Sequence, residues 1–222
     1  MFDPIARPST AAGASFAHLL NEIRHVLPAG RPLPDDVWRR RHRFILALLW
    51  LHAIGITCYG LIVGFGLIHS TAEGAVVGAA AWLAQSKNLS RRFRASVASF
   101  GLLTASSMLV HLSGGLIEMH FHFFVMIVLI ILYQDWAPFI VAIAYVALEH
   151  GIVGVLAPHA VYNHPDAWEN PWKWAGIHAA FVVAASIAGI VSWRLNEAAL
   201  AQAQQLLQSA GEASLGWMKR AT

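Results

Sequence analysis

A membrane-spanning helix needs about 20 mostly apolar residues. This 222-residue chain carries six apolar stretches that approach or exceed that length, at about 44–68, 73–86, 95–112, 116–133, 138–157 and 172–193. The second is short and Ala/Gly-rich, which makes it the marginal one. Only 12% of the residues are charged and 57% are hydrophobic, whereas soluble domains carry roughly 25% charged residues. Two soluble domains are thereby excluded. The expected fold is all-α: an integral membrane bundle of about six transmembrane helices, extended by a C-terminal signalling helix.

The cations orient the spans. Cytoplasmic loops of membrane proteins are enriched in Lys and Arg. Arg39, Arg40, Arg41 and Arg43 precede the first span, Lys87, Arg91, Arg92 and Arg94 fill the loop between the second and third, and Arg194 follows the sixth. Both termini are therefore expected in the cytoplasm, as in a multi-pass protein of a bacterial inner membrane, with Lys173 left outside. A five-span chain with a re-entrant first turn puts the same cations on one side, so charge orients spans three to six only. Residues 1–43 are expected to lack a signal peptide and to form a cytoplasmic segment. Within it, Ala14 to Leu27 reads as an amphipathic surface helix with Phe16, Leu19, Leu20, Ile23 and Val26 on one side. Residues 44–193 form the transmembrane domain. Residues 194–222 form a cytoplasmic helix, because Trp193 to Gln208 has good helix formers and no Gly or Pro. Trp193, Arg194 and Glu197 stand where the span turns into that helix.

The lone cysteine, Cys58, excludes an intrachain disulfide and any multi-cysteine metal site, and is expected as a small buried hydrophobe. No basic face interleaved with aromatics points to nucleic acid. Gly60, Gly64 and Gly66 suggest close helix packing.

Ionisable residues inside the apolar spans carry the functional signal. Each costs on the order of 3 kcal/mol in a bilayer, so such residues usually face a partner, a cavity or a bound ion. His111, Glu118, His120, His122, Glu149, His150 and His178 sit on four spans, all near the outer ends. At 1.5 Å per residue, Glu118 lies roughly 5 Å and His122 roughly 10 Å below the Ser113-Gly114-Gly115 turn. Helical angles then select among them. Residues two apart point about 200° apart, so His120 and His122 do not share an ion, whereas Glu118 and His122 share a face. The expected ligand set is His122, His150 and His178, completed by Glu118 or His111, with His120, Glu149, His159 and His164 as alternative or supporting ligands. Imidazole and carboxylate suit zinc, iron or copper(II). A haem b held by two axial histidines is the sharper variant, with Gly151, Gly154 and Gly176 making room for a flat ring. His52 reads as a distant packing residue. His159 and His164, in the loop Pro158 to Pro171, read as solvated or as an entry path for metal.

From His111 to Glu197, the run MHFHFFVMIVLIILYQDW, then EHGIVGVL, PHAVYNHPDAWENPWKW and SWRLNE, resembles the N-terminal membrane region of bacterial methyl-accepting chemotaxis proteins and of diguanylate cyclase/phosphodiesterase receptors. The resemblance implies a membrane-embedded sensory input domain whose last helix feeds a cytoplasmic output module. That module, and any enzyme it contains, is expected to lie outside this chain, which is not itself expected to be an enzyme. The partners expected are the lipid bilayer, a second copy paired through the last helix, and a cytoplasmic output domain or signalling protein. Two alternatives use the same residues: a redox metalloprotein or electron carrier, and a metal or proton transporter relaying through Glu118 and Glu149. The transporter is weakened by Phe123 to Leu132, which lacks a polar side chain.

Overall fold

The computed structural model describes residues 27–221. They divide into two compact units: Gly30–Gly189, and residues 27–29 together with those from Ile190 onward. The described residues contain helices and no strand. The surface helix expected over 14–27 lies, but for Leu27, outside them.

Six main helices occupy the six expected positions: α1 Asp35–Ile62, α2 Leu67–Ala84, α3 Arg91–Leu112, α4 Ile117–Ile130, α5 Trp136–Leu148 and, after two short helices, α8 Pro171–Ala221. A 3-10 turn, Ile131–Tyr133, ends α4, and α5 runs on through a π-helical turn, Glu149–Val153, to Leu156. The short helices α6 Pro158–Val161 and α7 Pro165–Glu169 form the connecting loop. Helices α1, α3, α5 with its extension and α8 are long and apolar enough to cross a membrane by length and composition, and α4 with its 3-10 turn is a shorter apolar helix. His69, Ser70, Thr71 and Glu73 make the first half of α2 too polar to join them.

The first unit is built inside out relative to a soluble domain. Phe44, Leu51, Ile54, Ile68, Phe121, Val125, Ile140, Leu148 and Phe181 are exposed on its outside, an arrangement suited to lipid. The centre is α3, which buries the small residues Ala95, Ala98, Ser99, Gly101, Ala105 and Ser106. Small residues let helix backbones approach closely where no hydrophobic effect drives them together. Ser99 and Thr104 dispose of their hydroxyls on the carbonyls of Ala95 and Phe100, one turn back. Gly74 on α2 is closer still: a Cβ there would meet the Ala53 carbonyl oxygen at 2.6 Å.

Three expectations change here. The first helix begins at Asp35 and stops at Ile62, so Gly64 and Gly66 are not helix-packing residues. They adopt φ of +92° and +80° in the α1–α2 turn, a region glycine enters without penalty. Gly60 does pack closely, its Cβ position lying 2.6 Å from Ser70 Oγ. Cys58 is exposed on the outer side of α1, because the buried stripe there runs through Ala53, Ile56 and Gly60.

In the second unit α8 is one unbroken helix as far as Ala221, as expected from residues 193–208. The three residues expected at its start are engaged. Glu197 accepts from the Ala29 backbone N–H (2.8 Å) and from Trp193 Nε1 (3.1 Å), and Arg194 donates to the Leu27 carbonyl (2.9 Å).

Overpacking a tight site costs about 1–3 kcal/mol. Gly74→Ala is therefore expected to lower the thermal midpoint in detergent by several degrees. Gly55→Ala, whose Cβ meets nothing within 4 Å, is expected to leave it within error. Equal midpoints for the two variants would refute the close α1–α2 contact.

Candidate metal centre

The face that α4 turns inward is His120, Phe123, Met126, Ile127 and Ile130, a stripe at helical spacing. His120 is fully buried there, against His150 of the π turn and His178 of α8. The three rings lie 5.0–5.4 Å apart, centroid to centroid, and ligand-capable atoms of the three histidines lie within 4.8 Å of one another.

Hydrogen bonding settles which nitrogens face the centre. His120 Nδ1 lies 3.0 Å from the Leu116 carbonyl, His150 Nδ1 3.2 Å from that of Val146 and His178 Nδ1 2.8 Å from that of Trp174. Each is the carbonyl one turn back on the same helix. A carbonyl only accepts, so each Nδ1 carries the proton and each Nε2 keeps its lone pair. The Nε2 atoms of His120 and His150 are buried without a hydrogen-bond partner. Buried polar atoms are nearly always paired, and an orphan calls for an explanation. Glu149 Oε2 stands 2.6 Å from His150 Nδ1 but makes no hydrogen bond to it, and is itself buried without a partner.

The π turn accommodates Glu149 and His150 together. Turns of this kind are rare and recur at functional sites. Beyond it, Gly154 meets the Tyr162 ring, where a Cβ would come within 3.1 Å of the hydroxyl. Tyr162 stacks parallel on His120 at 5.9 Å, 8° between planes. Burial, and then the negative charge of Glu149, push the Tyr162 hydroxyl up to about 12, so it stays protonated as a donor. It too is buried without a partner. From the side, a cavity of about 360 Å³ between α5 and α8 reaches His150 and His178 past Gly151 and Gly176. Neither glycine would place a Cβ near other atoms.

The connecting loop closes the end of the bundle. Gly115, at φ +83°, sits so near the Tyr162 backbone that a Cβ would be 2.8 Å from its carbonyl carbon. Val161, Tyr162 and Ala167 are buried with Trp168 and Trp174 packed on them. Asp166 accepts from Lys173 Nζ (2.8 Å), Trp174 Nε1 (2.9 Å) and Asn170 Nδ2 (3.3 Å). The Lys173 hydrogen bond leads in holding its carboxyl below the usual range. His159 and His164 are part of this fabric rather than simply solvated. His159 packs on the Trp168 ring at 4.3 Å, and His164 Nδ1 accepts from the Ala167 N–H at the start of α7.

The other expected ligands lie elsewhere. His122 points away from His120, its Nε2 2.9 Å from His52 Nε2 and its Nδ1 2.8 Å from Ser106 Oγ. His52 Nδ1 is tied to the Leu48 carbonyl, so His122 Nε2 donates to His52 and His122 Nδ1 accepts from Ser106. Both its nitrogens are spent. His52 is thus the partner of His122. Glu118 is exposed in the first turn of α4. His111 faces His69 and Glu73 on α2. Sequence reasoning passed over His69 and Glu73. It also passed over His42, buried at the opposite end of α1 between the Tyr133 hydroxyl (2.8 Å) and the Ala84 carbonyl (3.0 Å). The signal for His69 and Glu73 was their i, i+4 spacing; nothing local marked His42.

Against known proteins, the chain is 38% identical over 196 residues to the transducer protein Htr8 of Halobacterium salinarum. The match covers 82% of this chain and 30% of the length of that relative. No family model and no solved structure matches.

The lowered Asp166 value fixes the pH window of the loop clasp. Its hydrogen bonds persist through the ordinary carboxylate range and are lost only as the pH falls through that lowered value. Acrylamide quenching of Trp174, isolated as the difference between the protein and Trp174→Phe, is expected to stay constant down to that range and rise below it. Asp166→Asn is expected to show altered quenching already at neutral pH, and an unchanged signal there would dismiss the clasp.

Proposed function

We propose that this chain is the membrane-embedded sensory input domain of a signal-transduction receptor of the chemotaxis-transducer type. In this reading a transition metal ion, of the zinc, iron or copper class, is held by His120, His150 and His178. The observation that carries the metal reading is the set of three inward Nε2 lone pairs, two of them buried without any partner. The similarity to a transducer protein over 82% of the chain supports the sensory role.

A tetrahedral ion with bonds of about 2.0–2.1 Å sets its ligands about 3.3 Å apart, so modest ring movements close the trio on one ion. Three imidazoles with a fourth position open is a known arrangement for zinc. The groove beside Gly151 and Gly176 reaches His150 and His178 and would give a small ligand access to such an ion, with the Tyr162 hydroxyl as a further polar group. A haem fits less well: its pyrroles fill the equatorial plane and leave only two axial sites, one fewer than the converging histidines. When bound, the ion would offer an open position to a small ligand entering from the groove.

The signal path follows from the ligands' helices. His150 lies in a π turn and His178 on α8, so a change at the centre biases both. Helix α8 continues past Trp193 with Leu195, Leu206, Leu207 and Leu215 exposed, a surface suited to pairing with a second copy and moving an output module. With Arg39–Arg43 and Lys87–Arg94 on the cytoplasmic side of an inner membrane, the centre lies toward the outside.

The test is an absorption spectrum and elemental analysis of the detergent-purified chain. An equivalent of metal is expected to be lost in each of His120→Ala, His150→Ala and His178→Ala and kept in His122→Ala. Glu149→Ala is expected to weaken binding, because it removes the negative charge beside His150. A Soret band that shifts on reduction would replace the ion with haem, and a metal content that none of the three substitutions lowers would overturn the centre. In a fusion to a transducer's signalling module, His150→Ala is expected to abolish the ligand response. An intact response would remove the sensory role even if the metal were bound.

A further inference from the structure

A second group of ligand-type side chains lies in the same unit. His69 and Glu73 stand one turn apart on α2, and His111 reaches them from the last turn of α3. Glu73 Oε1 is 3.1 Å from His69 Nε2 and 3.4 Å from His111 Nε2, and the three ligand atoms lie within 4.8 Å of one another. Phe65 holds both rings in place, stacked on His69 at 4.8 Å and 5.6 Å from His111. The Glu73 side chain is only 11% exposed, and its Oε2 is buried with no hydrogen-bond partner. A carboxylate so placed needs positive charge beside it.

We propose that His69, Glu73 and His111 form a second metal site, for a zinc-class divalent ion. Two imidazole nitrogens and one carboxylate oxygen are a donor set of zinc centres that keep an open position, and of iron(II) sites. The separations of 3.1 and 3.4 Å already match the roughly 3.3 Å that a tetrahedral ion with bonds of about 2.0–2.1 Å imposes. The histidine side chains are 44% and 47% exposed, unlike the buried trio. This site therefore exchanges its ion with solution and fills according to the free metal concentration. It does not depend on the trio being occupied, and it accounts for His111 turning away from His120.

The experiment is a Co²⁺ titration of the full chain in detergent after chelator treatment, read by visible d–d absorption and equilibrium dialysis. One equivalent is expected to persist in His150→Ala/His178→Ala and to disappear in His69→Ala/His111→Ala, with helical circular dichroism unchanged. Glu73→Gln keeps the shape and removes the charge, and is expected to weaken that equivalent by about tenfold or more. Two results would overturn the site. One is a chain lacking the trio that takes up no Co²⁺, which would leave a hydrogen-bonded His–Glu–His group only. The other is an equivalent that survives both the double variant and Glu73→Gln.

Discussion

Inside a bilayer there is no water to receive a polar group, so each must find its partner within the protein. In this fold that partner is repeatedly the carbonyl one turn back on the same helix. Thr57, Ser70, Thr71, Ser99 and Thr104 all use it, and so do His52, His120, His150 and His178. For a hydroxyl the bond merely hides polarity. For a histidine it does more, because it fixes the proton on Nδ1 and leaves Nε2 bare. A device that lets helices bury polar residues thus also leaves bare nitrogen lone pairs inside the bundle. Where three such histidines meet, the same constraint that permits burial creates an unmet demand at the centre.

His52 and His122 answer the demand differently. His52 is tied back like the others, but its bare Nε2 is met by His122, which in turn is met by Ser106. That chain is self-sufficient and has no vacancy for an ion. The contrast is with His120, two residues away on α4, whose Nε2 is buried without a partner. It rests on which neighbours each ring meets, not on the ring itself. The closing loop then serves the trio. Gly115 lets the Tyr162 backbone come down on the α3–α4 turn, Tyr162 lies on His120, and Asp166 clasps the loop to the first turns of α8.

Much of the fold was legible in the residues. Each apolar stretch became a helix, and residues 193–208, free of Gly and Pro, ran on from a span without a break. Helix ends were less legible: α1 starts at Asp35 because Arg39–Arg43 are good helix formers, whatever their polarity. Of the candidate ligands, His150 and His178 came together as expected, each being polar on an otherwise apolar helix near the same end. That His120 rather than His122 lies beside His150 and His178 was not legible, for a physical reason. In a span apolar all round, no polar stripe marks the outward face, so the direction of the bundle interior cannot be read from α4 alone. The stripe Phe123, Met126, Ile127 and Ile130 does point with His120, but Phe121, Phe124 and Val125 are equally apolar and face outward.

The sequence by itself determined the all-α architecture, the positions of the helices and the concentration of histidines toward one end. Hydropathy and helix propensity are local properties and act wherever the chain goes. Only the tertiary structure decided the partners. It paired His122 with His52, sent His111 to His69 and Glu73, and gathered His120, His150 and His178 under Tyr162. Those choices depend on how each helix is rotated about its axis, and that rotation is set by glycine and alanine contacts between helices, such as Gly74 on Ala53. The packing that sets the rotations thereby sets the chemistry.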